Sequence, residues 1–184
     1  MRSFIAIDLP PGIKEAIKDV VRELSPGSSG IRWVPVENIH LTLKFLGEVK
    51  EDQVPGVENQ LRAAAGRHQA FNITVKGAGA FPNLRSPNVL WIGIEVSEAL
   101  SSLFRDIDAG MSGLGFEPEA RRFSPHLTIG RVKDKNGTAP AMMGISTYKE
   151  TIFGTIDVQE IRLMKSVLKP SGAEYSGIAD IRLK

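Results

Sequence analysis

The chain has 184 residues, a formal net charge of +2, 42% hydrophobic and 24% charged residues, and no cysteine. These are ordinary globular values that exclude extended disorder, and the length suits one compact domain or two small lobes packed together. The lack of cysteine excludes disulfides, a thiolate nucleophile and a Cys-based zinc site, and so small a charge excludes a protein that holds nucleic acid by bulk electrostatics.

Arg2 to Leu9 reads as a strand closed by Pro10-Pro11. Asp8 interrupts its apolar run and no small-residue cleavage site follows, so a signal peptide is not expected. Ile13, Ala16, Ile17, Val20, Val21 and Leu24 recur at helical spacing, and the Pro26 to Gly30 stretch ends that helix. Short strands are expected over Ile31 to Val34 and Ile39 to Leu46, a helix over Asp52 to Ala65 and a strand over Ala70 to Ala80. Val89 to Val96 reads as a strand and Glu98 to Met111 as a helix. Leu127 to Val132 follows as a strand, Ala139 to Ser146 as a short helix, Phe153 to Leu168 as a hairpin-like pair of strands and Tyr175 to Leu183 as the last strand. No apolar stretch approaches the ~20 residues of a membrane span, so no membrane partner is expected, and the cytoplasm is the expected location.

Two of the three histidines stand in the same phrase, once in each half: His40-Leu41-Thr42-Leu43 and His126-Leu127-Thr128-Ile129. In a strand, residues two apart share a face. His40 with Thr42, and His126 with Thr128, therefore each offer an imidazole and a hydroxyl to one side, while the aliphatic residues anchor the other. Imidazole exchanges protons near neutral pH, and a threonine hydroxyl donates to an anionic oxygen. Two such pairs across a cleft supply an acid, a base and two donors, a set suited to in-line displacement at phosphorus. The repeated strand–helix–strand–helix–strand order predicts an α+β fold: a single bilobal domain over residues 1–184, with one motif per lobe.

The wider context resembles a known family. Phe4 to Pro10, Arg32-Trp33-Val34, Glu37 to Glu48, Val89 to Gly93, Phe123 to Arg131, Leu163 to Ser166 and Gly172 to Tyr175 are similar to the bacterial and archaeal RNA 2′,3′-cyclic phosphodiesterases of the 2H phosphoesterase superfamily, once called 2′-5′ RNA ligases. The resemblance implies two lobes, each an antiparallel sheet with helices outside, facing a central cleft, and hydrolysis of a terminal 2′,3′-cyclic phosphate to a 2′-phosphate without a metal or other cofactor. It makes His40 the proton donor, His126 the proton acceptor, Thr42 and Thr128 donors to phosphate oxygens and Arg131 a phosphate contact. The partner expected is RNA with a cyclic phosphate end, or a small cyclic nucleotide, bound by a monomer. Rival readings are a 2′-5′ RNA ligase or another cyclic-nucleotide phosphodiesterase of the superfamily, a non-catalytic RNA-end binding module, and a metal-dependent hydrolase.

Arg131 lies five places after His126, an odd offset that turns it away from the cleft in a regular strand. A bulge at Gly130 would re-aim it; otherwise it is an outer-face ion-pair partner. Phe81, at the start of a loop running to Asn88, either stacks a base or plugs the loop. Trp33 and Trp91 read as core, His68 as an exposed bystander, and Arg121-Arg122 with Lys133 to Lys135 as solvated charge or a funnel for RNA phosphates.

Overall fold

The computed structural model describes every residue except Ser171. In chain order the elements are β1 (Arg2–Ile7), α1 (Pro11–Leu24), β2 (Ile31–Trp33), β3 (Leu41–Glu48), α2 (Val54–Ala65), β4 (Phe71–Phe81), β5 (Val89–Ile94), α3 (Glu98–Ser112), β6 (His126–Val132), α4 (Ala139–Ser146), β7 (Ile152–Val158), β8 (Glu160–Lys169) and β9 (Gly172–Arg182). Short 3-10 turns at Val36–Asn38 and Glu51–Gln53 precede β3 and α2. The strands form two wholly antiparallel sheets, a first in the order β3-β1-β8-β9 and a second in the order β2-β6-β5-β4-β7.

Helical patterning decides which layer each helix joins. On α1 the buried residues Ile13, Ile17, Val20 and Leu24 form one stripe, and α3 buries Leu100, Leu103, Ile107 and Met111. Ser97 caps α3 by accepting the Leu100 amide at 3.2 Å. Helices α2 and α3 pack together and cover the first sheet; α1 and α4 pack together and cover the second. One continuous apolar core runs beneath both sheets, leaving their opposite faces to line a central cleft with the helices outside.

The lobes are not the two halves of the chain. The first sheet takes β1 and β3 from the beginning and β8 and β9 from the end, while β2, from the first half, pairs with β6 in the second sheet. Helix α1 crosses to the second sheet and α3 to the first. Each sheet therefore draws strands from both halves of the chain.

The expected hairpin over Phe153 to Leu168 is wrong. β7 pairs with β4 and β8 pairs with β1 and β9, so the chain leaves one sheet for the other at Gln159. No Gly, Pro or Asn interrupts Val158-Gln159-Glu160, and a tight reversal there has no turn residue to build on. The hairpin forms one strand later, between β8 and β9, where Pro170 and Gly172 stand.

Candidate active site

β3 and β6 carry the two motifs and lie beside each other, one in each sheet. Leu41, Leu43, Leu127 and Ile129 are all buried, each worth about 1.5–3 kcal/mol of hydrophobic burial. That burial presses the alternate residues outward. His40 immediately precedes β3, and Thr42 stands opposite Ala6 of β1. Across the cleft His126 stands opposite Gly93 and Thr128 opposite Trp91 of β5.

Each imidazole is held by the same local bond. His40 Nδ1 lies 2.9 Å from the Asn38 carbonyl oxygen, and His126 Nδ1 lies 2.7 Å from the Ser124 carbonyl oxygen. A carbonyl only accepts, so Nδ1 carries the hydrogen in both rings, and Nε2 is left as the atom that takes or gives a proton. Two residues back from each histidine, the backbone thus sets the tautomer twice.

The two rings sit in different surroundings. His40 stacks on Phe4 with centroids 4.6 Å apart and 22° between planes, and meets Tyr175 edge-on at 5.3 Å. Burial in this aromatic niche lowers the His40 pKa from its ordinary 6.5, opposed by the bond to the Asn38 carbonyl and the nearby Asp8 carboxylate. Asp8 is itself engaged by the Leu9 amide at 2.8 Å, by Arg162 at 3.1 Å and by Lys14 at 3.6 Å. On the other side, His126 meets Phe81 in a T-shaped pair, with centroids 5.0 Å apart. Phe81 is the last residue of β4, not a loop residue, and lies 5.3 Å from the ring of Trp91.

Trp91 is a correction to the core reading. It alternates with the buried Leu90 and Ile92, so it faces the cleft beside Thr128. Its ring lies over Gly79, where an added Cβ would sit 2.6 Å from Cζ2, and over Gly93, where one would sit 3.3 Å from Cζ3. Two glycines on neighbouring strands thus make its seat. Trp33, by contrast, packs against the core as expected.

Arg131 reaches the site face through a break in register. Thr128 pairs with Trp91 but Gly130 with Leu90, so Ile129 is the extra residue of a bulge. Arg131 then stands opposite Val89, and Val89, Trp91 and Gly93 share one face of β5. His126, Thr128 and Arg131 consequently line the same face despite the odd offset. Arg131 is exposed. The same break occurs in the first motif: Thr42 pairs with Ala6 and Lys44 with Ile5, leaving Leu43 extra. There it turns Lys44 away from the cleft to Asp108 of α3 at 2.5 Å and the Glu117 carbonyl oxygen at 2.7 Å.

His68 is not an exposed bystander. Its side chain is 11% exposed and Nε2 lies 2.8 Å from Asp106 of α3, which makes it a structural clasp away from the motifs. Arg121, Arg122, Lys133 and Lys135 are exposed, and Lys135 donates to the Ser86 hydroxyl. A separate pocket of about 310 Å³ lies between Asp8 and Glu160; neither histidine lines it. Phe4, Tyr175 and Trp91 went unnamed as site residues in the sequence. For Trp91 the signal was present in the alternation of Val89 to Ile94. For Phe4 it was masked because Phe4 to Ile7 are buried throughout, and Tyr175 is brought in only by the long-range β8–β9 pairing.

Known proteins are similar to this chain over nearly its whole length. The sequence model described as LigT like Phosphoesterase matches twice in tandem, over residues 7–91 and 92–175, with one motif in each match. An RNA 2′,3′-cyclic phosphodiesterase of Archaeoglobus fulgidus is 39% identical over 178 residues, covering 97% of this chain and 98% of that protein. One of Methanothermobacter thermautotrophicus is 35% identical over 183 residues, covering 100% and 99%. Among solved structures, one from Thermus thermophilus superposes with a TM-score of 0.85 at 28% identity, covering 100% of this chain and 98% of that one. E. coli LigT complexed with 3′-AMP superposes with a TM-score of 0.77 at 30% identity, covering 99% and 97%. With the tandem match spanning nearly all of its length and both motifs intact, this chain belongs to the LigT-like phosphoesterase family of the 2H superfamily.

Proposed function

We propose that this chain hydrolyses the 2′,3′-cyclic phosphate at an RNA 3′ end to a 2′-phosphate, using its paired histidines and no metal. The observation that carries this reading is the matched Nδ1 bonds of His40 and His126, which leave one proton-exchanging Nε2 on each side of the cleft. Water attacks phosphorus as His126 Nε2 takes its proton; the P–O3′ bond breaks, and protonated His40 gives its proton to O3′. Thr42, Thr128 and Arg131 donate to the non-bridging oxygens as negative charge grows there. Phe81 stacks the terminal base beside His126. Protons and charge are thereby handled by side chains, and threonine is a poor ligand for the usual metals. The names of the relatives, and the 3′-AMP held by E. coli LigT, support a nucleotide end as ligand. A cysteine-free monomer acting on RNA ends suits the cytoplasm.

One observation favours a second reading. A histidine with a lowered pKa is more often found neutral and ready to accept, so His40 could take the proton and His126 give one. The in-line geometry would then expel O2′ and leave a 3′-phosphate.

The test is product analysis on a short oligoribonucleotide ending in 2′,3′-cyclic phosphate, with excess chelator present. The expected product is a 2′-phosphate formed at the full rate, with His40→Ala and His126→Ala each about 10²–10⁴-fold slower. A 3′-phosphate would reverse the two roles. Loss of activity in chelator would remove the metal-free reading, and tight binding without turnover would make the chain an end-binding module. Joining of a 5′-hydroxyl end in preference to water would make it a 2′-5′ ligase.

A further inference from the structure

β2 is an edge strand of the second sheet, and its middle residue is Arg32. Arg32 stands directly opposite Arg131 in the β2–β6 pair. Residues opposed in an antiparallel pair point to the same face, with Cβ atoms about 5 Å apart, so Arg32 shares the cleft face with Arg131, Thr128 and His126. Ile31, one residue before it, is buried. None of the ion pairs among the described residues includes Arg32 or Arg131. Like charges directly opposite each other destabilise a sheet. Two exposed, unpaired guanidinium groups on one side of one ladder rung therefore call for an anion.

Arg32 also leans out of its own sheet. An added Cβ on Gly172, the first residue of β9, would lie 3.1 Å from Arg32 Nη2. The guanidinium thus spans from the second sheet to the β8–β9 hairpin of the first, at the end of the cleft where Asn38 donates to the Ala173 carbonyl oxygen at 2.9 Å. Along the rung, β2, β6, β5 and β4 present Arg32, Arg131, Val89 and Phe81 in order. An aromatic ring suited to a base stands at one end and an unpaired cation at the other.

We propose that Arg32 binds the phosphodiester on the 5′ side of the terminal nucleotide, which makes the site select RNA ends over free cyclic mononucleotides. This rests on the reading of the site given above, in which Arg131 holds the cyclic phosphate and Phe81 the terminal base. The next phosphate of the strand then leaves the ribose away from Phe81, towards the rung's other end. Arginine suits the task because its fork meets two phosphate oxygens at once. A charge placed merely to guard an edge strand would have no reason to reach across to Gly172.

The experiment compares a trinucleotide ending in 2′,3′-cyclic phosphate with adenosine 2′,3′-cyclic monophosphate, which has no upstream phosphate. Arg32→Gln is expected to lower the ratio of kcat/KM for the trinucleotide over the mononucleotide about tenfold, mainly through KM, the size of one charged hydrogen bond. The slope of log KM for the trinucleotide against log salt should fall by about 0.7, one single-strand phosphate contact. Arg32→Lys should keep that slope while losing part of the ratio. An equal loss on both substrates, or no change in the ratio, overturns the proposal. A wild-type protein inert on both substrates overturns the cyclic-phosphate reading and this inference with it, and is distinguishable from either result.

Discussion

Leu43 and Ile129, the fourth residues of the two motifs, are each the extra residue of a β-bulge. The burial sequence from Leu41 to Phe45 is the same as that from Leu127 to Arg131, so one backbone device is used twice. It delivers different groups: Phe45 on one side of the cleft, 70% exposed, and Arg131 on the other. The cation therefore stands on one side only of a repeated frame. Arg131→Gln should lower kcat/KM on a cyclic-phosphate oligonucleotide by about 10²–10³-fold, the usual cost of losing one donor to a developing anion. Phe45→Gln should change it by a few-fold at most. Equal losses from the two substitutions would mean that the site is not polarised in this way.

The depressed pKa of His40 gives a pH prediction with a definite sign. Burial disfavours the imidazolium, so in the free enzyme His40 is charged only below its ordinary range. In its proposed role as proton donor it must be charged, and kcat/KM, which reports the free enzyme, should fall as pH rises through that lowered value. A bound phosphate places negative charge beside the ring and favours the imidazolium. The falling limb of kcat should consequently lie at higher pH than that of kcat/KM. NMR titration of the His40 ring with and without inorganic phosphate checks this directly; a pKa unmoved or lowered by phosphate would count against His40 as the acid. Folding linkage has a matching sign, since the stability His40 contributes is present above pH ~6.5 and is lost as pH falls through its folded value.

The seat of Trp91 gives a local prediction. A methyl group at Gly79 would lie 2.6 Å from Cζ2 and 2.9 Å from Cη2 of the ring, closer than carbon atoms pack. Gly79→Ala should lift the indole off the sheet into the space beside Thr128, shifting Trp fluorescence and raising KM more than it lowers kcat. An unchanged emission spectrum with altered kinetics would mean that some other displacement is responsible.

What the sequence disclosed and what it hid divide along a physical line. Period-two alternation around His40 and His126 placed both imidazoles and both hydroxyls on one face, because burial of Leu41 and Leu127 leaves no other arrangement. Helix stripes such as Ile13-Ile17-Val20-Leu24 were equally plain. Partner choice between strands was not legible. Val158 to Glu160 reads the same whether the chain reverses or crosses to another sheet, and only long-range pairing with β1 and β4 decides it. The niche of Phe4 and Tyr175 around His40 was hidden for the same reason, since its members meet through three strands distant in sequence. Gly130 did flag irregularity in β6, although the extra residue of the bulge is Ile129 rather than the glycine itself.

Lys44 tests how the first motif is held from behind. Its side chain is 4% exposed, and its ammonium meets Asp108 Oδ1 at 2.5 Å and the Glu117 carbonyl oxygen at 2.7 Å. Asp108 Oδ1 also accepts the Glu119 amide at 3.0 Å. One ion pair thus ties β3, α3 and the segment leading to His126, so it joins the backbones of both motifs. Asp108→Ala leaves an ammonium buried with a single carbonyl for company, and breaking a buried pair in this way costs about 3–5 kcal/mol. Asp108 is 19% exposed, so water relieves part of that cost and the lower end is expected. The double variant Lys44→Met with Asp108→Leu removes both charges and should recover most of the stability, yet it also frees the Glu119 amide and the Glu117 carbonyl. Urea unfolding of the two variants separates the contributions. If the single and double variants are equally destabilised, the backbone bonds to the 117–119 segment, and not the buried charge, are what hold the motif strand in place.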